Sequence, residues 1–284
     1  MFRALAFAAI LGGALNSGLR AEPNLTVERM ALHQFEDGPL LADSYDFLPG
    51  ETAYFSCRFA SYQTESLENE QRQVKLSWKA TVFDPSGLAV EPAKQGRIES
   101  KLSKEDKDWL PKFLLSFTVP SFALPGKYRV SVEAKDEVGE NITHADLAFR
   151  VRGHELERSE TLVARNFRFL RSEDDAIGTR SGLYHPGDTL WARFDVTGYK
   201  FGENNRFSVE CALAVENADG KQLFSQPEAA SQSGDSFYPQ PYVPIELNLT
   251  LDKTVQPATY TLIVTLRDSI GNQTAEVRES FLLQ

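Results

Sequence analysis

Apolar and polar residues alternate with a period of two along most of this chain. The clearest run is Val74, Leu76, Trp78, Ala80 and Val82, interleaved with Lys75, Ser77, Lys79 and Thr81. In a strand these sets fall on opposite faces, whereas a helix would spread the apolar ones around its circumference. The pattern predicts about seven strands in the first half, near 25–32, 52–59, 74–83, 88–98, 113–119, 127–135 and 142–151. Turn signals punctuate them: Asp84-Pro85-Ser86-Gly87, Asn217-Ala218-Asp219-Gly220, Asp136 to Gly139 and Asp268 to Gly271. No long helical pattern appears beyond the N-terminal segment. The fold class is all-β.

The pattern occurs twice. Pro125-Gly126-Lys127-Tyr128 opens an alternating run that ends in Asp136-Glu137-Val138-Gly139. Pro257-Ala258-Thr259-Tyr260 opens another that ends in Asp268-Ser269-Ile270-Gly271. Pro125 and Pro257 are 132 residues apart, as are Gly139 and Gly271. Upstream the spacing is 137, laying Pro49-Gly50-Glu51-Thr52 on Pro186-Gly187-Asp188-Thr189, and then 133 from Val74 on Phe207 to Gly87 on Gly220. Spacings that change only in loops are what a duplication followed by loop drift leaves behind. The expected organisation is a signal peptide at 1–21, a first β-domain at 22–152 and a second at 153–284. Arg152-Gly153-His154-Glu155 forms a short linker between end-to-end domains.

The N-terminus predicts export. Met1-Phe2-Arg3 is a short positive region, Ala4 to Leu15 is apolar or small, and a more polar stretch ends at Ala21, the expected cleavage point. A core of about a dozen apolar residues is shorter than a bilayer-spanning helix requires. No later run is long enough to span either, so the mature chain is expected to be soluble, in the periplasm or outside the cell. Removal of Arg3 and Arg20 takes the net charge from −10 to −12. That acidity argues against nucleic-acid binding and against an anionic membrane surface.

The two cysteines, Cys57 and Cys211, fall in different copies and on non-equivalent strands. A bridge within one copy is therefore excluded, and each domain must be held by its apolar core. A bridge between copies and two separately buried thiols both stay open.

The Pro-Gly-x-Tyr opening, the alternating strand, the Asp-x-x-Gly and a last strand ending in Phe resemble the closing hairpin of bacterial immunoglobulin-like and fibronectin-III-like domains. The resemblance covers both copies and implies two tandem immunoglobulin-like antiparallel β-sandwiches. It implies structural roles for Pro125, Pro257, Tyr128 and Tyr260, the tyrosines buried with their hydroxyls bonded to backbone. It also implies that Asp-x-x-Gly turns the hairpin, with Gly139 and Gly271 supplying a positive φ.

Candidate chemistry is sparse. His33, His144, His154 and His185 are read as single surface residues outside any metal-binding or nucleophilic motif. No catalytic residue and no cofactor is assigned. Calcium is the one metal considered, through Glu36-Asp37 and Glu173-Asp174-Asp175 in equivalent loops, because Ca²⁺ prefers carboxylate oxygens. Phe237-Tyr238-Pro239-Gln240-Pro241-Tyr242 and Trp109-Leu110-Pro111-Lys112-Phe113 precede equivalent strands. Trp109, Phe113, Phe237, Tyr238 and Tyr242 can stack on sugars or anchor a protein, or they can cover the open end of a sandwich. Asn24, Asn141, Asn248 and Asn272 begin glycan-acceptor triplets that a bacterial host would leave unused. The reading reached is an exported, non-catalytic structural or protein-interaction module of adhesion type. The alternatives are a carbohydrate-binding module, then a periplasmic chaperone, then an enzyme.

Overall fold

A computed structural model describes residues 24–284, and the expected signal peptide lies outside the described residues. The first half contains β1 (Thr26–His33), β2 (Asp46–Phe47), β3 (Thr52–Ala60), β4 (Glu65–Ser66) and β5 (Arg72–Phe83). It continues through β6 (Lys94–Leu102), β7 (Lys112–Thr118), β8 (Gly126–Asp136) and β9 (Ile142–Val151). The second half contains β10 (Val163–Leu170), β11 (Gly182–Tyr184), β12 (Thr189–Thr197) and β13 (Phe207–Glu216). After these come β14 (Gln222–Gly234), β15 (Val243–Thr250), β16 (Ala258–Asp268) and β17 (Gln273–Leu283). The described residues are all-β apart from two 3₁₀ turns, Glu68–Glu70 and Glu203–Asn205.

Each half forms two sheets. In the first, β1-β3-β7 faces β2-β9-β8-β5, to which β4 and β6 add. In the second, β10-β12-β15 faces β11-β17-β16-β13-β14. Apart from β4, which has no counterpart in the second half, the order is the same, down to a short strand running parallel to the last one: β2 on β9 and β11 on β17. Inward residues of both sheets merge into one apolar cluster per half. Phe55, Cys57 and Phe113 meet Leu76, Val130 and Val132 in the first, and Phe194 and Ile245 meet Cys211 and Val264 in the second. Two sheets closing on one core form a β-sandwich.

Backbone irregularities recur as well. The pairing of β1 with β3 slips between Glu28 and Ala31, where Arg29 takes φ 51°. The pairing of β10 with β12 slips between Arg165 and Arg168, where Asn166, 137 residues later, takes φ 54°. A left-handed residue in an edge strand is a β-bulge device that few side chains tolerate.

Three expectations need correction. The strand placed at 88–98 runs instead from Lys94 to Leu102, because Pro92 lacks the N–H that a ladder needs. The left-handed residue after each Asp-x-x-Gly is not the glycine but the residue after it, Glu140 (φ 53°) and Asn272 (φ 49°). The glycines are required for space: a Cβ on Gly271 would lie 2.3 Å from Asp268 Oδ2. Finally, His33 is buried rather than exposed, with Nε2 2.7 Å from Ser56 Oγ and Nδ1 2.7 Å from the Gly38 carbonyl. Cys57 and Cys211 are free, each sealed in its own core, and burial pushes both thiols up to about 12.

Candidate functional site

Apart from the His33–Ser56 pair between β1 and β3, the buried polar groups lie at turns and at the junction of the halves. Asp136 Oδ1 accepts from the N–H groups of Val138 and Gly139, and its Oδ2 accepts from Gln63 N at 2.6 Å. Asp268 repeats the arrangement, with Ile270 and Gly271 on one oxygen and Lys200 N and Gln273 Nε2 on the other. Burial pushes the Asp268 carboxyl up. Hydrogen bonds from Gly271, Lys200, Gln273 and Ile270 outweigh it and leave the group below its usual value. These aspartates tie the last hairpin to the loop after β3 or β12.

The junction is built on the linker. A Cβ on Gly153 would lie 2.1 Å from the Ala123 carbonyl oxygen, so only glycine lets the chain pass. His154 then turns into the second half, where its Nε2 sits 2.7 Å from Asp195 Oδ2. Asn166 Nδ2 donates to the same oxygen at 2.9 Å and to the Glu155 carbonyl at 3.2 Å. The His154 ring lies 4.9 Å from that of Tyr242, which in turn meets Phe122 edge-on at 5.5 Å.

A second link joins residues 154 positions apart. Asp84, only 2% exposed, caps the turn after β5 by accepting from Ser86 N and Leu88 N, both at 2.8 Å. Its other oxygen accepts from the Tyr238 hydroxyl at 3.0 Å. The Tyr238 ring packs against the first half's core, and its hydroxyl also meets that of Tyr128. Tyr128 donates to the Leu124 carbonyl at 3.0 Å, as Tyr260 donates to Gln256 at 2.7 Å. Burial foremost, then the Asp84 charge, pushes Tyr128 up to about 12. Burial, Tyr128 and Asp84 raise Tyr238 further still. Both phenols keep their protons at neutral pH, and the network holds surfaces of the two halves together. A cleft of about 200 Å³ lies beside it, bounded by Leu88, Arg158, Thr197, Tyr199 and Pro241.

The five candidate aromatics do not form one platform. Phe113 is 4% exposed, its ring 3.9 Å from that of Trp78. Trp109 is half-buried against Tyr62, near the start of β5, while Tyr238 and Tyr242 sit at the junction beyond its end. Phe237 alone is well exposed, at 54%. A stacked sugar needs several rings open on one surface, and packing has used four of the five. The candidate calcium loops are likewise committed. Asp37 pairs with Lys112, whose hydrogen bond and charge lower its carboxyl, while Asp175 accepts from the N–H groups of Gly178, Arg171 and Ile177, which lower it. Glu36, Glu173 and Asp174 point to solvent. Among the described residues no group of three or more His, Cys, Asp or Glu converges as a metal site.

Sequence reasoning passed over Asp84, Asp195 and the His33–Ser56 pair. Asp84 was a turn residue by pattern, and its partner is far away in sequence. The available signal was the tyrosine at 238, since residues 103–108, ahead of Trp109, hold no aromatic.

No family model matches the chain, and no curated protein does. Among solved structures, the C-terminal domain of the Streptococcus agalactiae antigen I/II polypeptide BspA aligns over 90% of this chain and all of its own, at 9% identity and TM-score 0.30. The C-terminal domain of the Streptococcus pyogenes antigen I/II-family protein AspA covers 92% of this chain, also at 9% and 0.30. A family 123 glycoside hydrolase from Clostridium perfringens matches 43% of this chain over 27% of its own length, at 12% and 0.29. Likeness at that level carries no functional argument. Among the described residues no helix is long and apolar enough to cross a membrane.

Proposed function

We propose that this chain is an exported, non-catalytic module in which two immunoglobulin-like or fibronectin-III-like sandwiches, at 22–152 and 153–284, act as one rigid structural or protein-interaction unit of adhesion type. Duplication of a single domain accounts for the shared strand order and the recurring left-handed residues. The observation that carries the reading is the commitment of the buried polar groups. Asp84, Asp136, Asp195 and Asp268 each hold backbone, linker or the opposite half. A catalytic site keeps such groups facing a cleft with perturbed proton affinities and unspent hydrogen-bonding capacity. Here that capacity builds a fixed two-domain body, which presents its outer loops at a constant spacing.

The test is capture with the chain lacking residues 1–21 as bait on native cell-envelope extract, followed by reconstitution with the purified partner. One protein that binds saturably supports the reading. Recovery of nothing above background, or binding to a panel of polysaccharides instead, overturns it.

A further inference from the structure

The copies diverge on the outer face of the smaller sheet. In the first half Ala31 pairs with Ser56 across β1 and β3, and the buried His33 ring bonds Ser56 Oγ at 2.7 Å. The same register in the second half pairs Arg168 with Arg193, and Leu170 stands where His33 does. Partners across a ladder share a face, so two like charges lie side by side there. Arg193 is neutralised. Its Nε and Nη2 donate to Glu246 Oε2 at 2.8 and 2.6 Å, and the guanidinium also bonds the Glu173 and Asp175 carbonyls. Arg168 is not. Half-buried, it bonds only the carbonyl of Phe167, the residue before it, through Nη1 at 3.0 Å. Among the described residues no carboxylate pairs with it. Arg168 lines a cleft of about 330 Å³ between the linker and the β10–β11 loop, together with Leu170, Ala176 and Ile177. The loop is fixed in place: Phe169 and Thr179 exchange N–H to carbonyl bonds at 2.7 Å, and a Cβ on Gly178 would lie 3.0 Å from Arg168 Cβ.

We propose that this cleft binds a carboxylate carried on an aliphatic group, its oxygens on the free Nε and Nη2 donors of Arg168 and its aliphatic part against Ala176 and Ile177. A guanidinium presents parallel N–H donors that match the two oxygens of a carboxylate. A half-buried charge without a partner also gains more from one than a fully solvated charge does. Asp195 does not supply that partner, because His154 and Asn166 already hold it. A doubly charged phosphate fits less well, since Glu155 and Asp195 line the same cleft and Glu246 stands on Arg193. The carboxylate can come from a free aliphatic acid or from the C-terminus of a polypeptide that ends in an aliphatic residue. The site goes beyond the reading of the chain as an interaction module, and neither depends on the other.

The test is titration of the chain lacking residues 1–21, with labelled isoleucine and leucine methyls, against isovalerate, a tripeptide of two alanines and a C-terminal valine, and that tripeptide amidated at its C-terminus. The expected result is saturable shifts of the Ile177 and Leu170 methyls with a free carboxylate and none with the amide. Arg168→Gln is expected to lower the affinity at least about tenfold while the remaining spectrum is unchanged. Arg168→Lys, which keeps the charge without the fork, should fall between. Ile177→Ser, at a position 85% exposed, leaves the core untouched and should weaken binding several-fold. Saturation by isovalerate and the tripeptide alike supports the site and assigns a free acid, whereas saturation by the tripeptide alone supports it and assigns a chain terminus. Equal shifts from the amidated tripeptide, unchanged affinity in Arg168→Gln, tighter binding of inorganic phosphate, or no saturation by any probe overturns the proposal. A failed titration alongside a successful envelope capture removes the cleft and leaves the interaction module standing.

Discussion

The turns at Asp84 and Asn217 are nearly superimposable in their local bonding, yet they end in different surroundings. In each, the residue's carbonyl accepts from the glycine three positions on, at 3.0 Å (Gly87 N and Gly220 N). In each, a side-chain oxygen accepts from the N–H four positions on, at 2.8 Å from Leu88 and 2.9 Å from Lys221. An amide oxygen serves the turn as well as a carboxylate does. The difference lies beyond the turn. The second oxygen of Asp84 accepts from Tyr238 as well as from the Ser86 hydroxyl, while Asn217 turns its Nδ2 to Asp219 at 3.4 Å. The charge sits where a donor arrives from the other half, so the carboxylate marks the junction.

The strongest way to break this contrast is Tyr238→Ala. Removing the ring from the first half's core is expected to cost about 2–4 kcal/mol of that half's stability. It should also free the halves to reorient, which residual dipolar couplings would detect as two alignment tensors in place of one. A single unchanged tensor would contradict the role given to Tyr238. Next in size, Asp84→Ala is expected to cost about 2–3 kcal/mol by stranding Ser86 N, Leu88 N and the Tyr238 hydroxyl, against about 1 kcal/mol for Asn217→Ala. Equal losses in urea titrations would erase the distinction between the turns. The tyrosines sharpen it further. Tyr260→Phe deletes one hydrogen bond, to Gln256, at a cost of about 1 kcal/mol. Tyr128→Phe deletes the corresponding bond to Leu124 at a more deeply buried site and should cost at least as much.

The smallest effect is one of pH. The folded pKa of Asp268 lies below the unfolded value of 3.8. Its contribution is therefore complete above that value and is lost as pH falls through the folded pKa. Urea midpoints followed from about pH 6 to about pH 2 should show a shallower acid decline in Asp268→Asn than in the parent. Parallel declines would remove Asp268 from the account of acid sensitivity.

How far the sequence could be read follows from the range of each interaction. Alternation placed the β5 residues Val74 to Val82 on their two faces because a strand's period is a local property. The strand after Gly87 was displaced because Leu88, Ala89 and Val90 read as strand by composition, whereas Pro92 ends any ladder that they begin. The aspartates of Asp136-x-x-Gly139 and Asp268-x-x-Gly271 were visible as turn residues. Their second task, gripping Gln63 N and Lys200 N across the sandwich, was not, since no spacing rule connects positions 73 or 68 residues apart. The aromatic segment 237–242 was visible too. Whether it faced sugar, solvent or the other half depended on a linker geometry set by Gly153, which leaves no periodic trace.

The two thiols have a practical consequence. Cys57 lies at the centre of one core and Cys211 at the centre of the other, with no sulfur elsewhere in the chain apart from two methionines. Because burial holds each as an unreactive thiol, a thiol reagent can reach either one only when its own half opens. The chain thus contains one native clock per sandwich. Labelling rates at the two positions, read separately by mass spectrometry, would report how often each half breathes and whether the junction makes them breathe together.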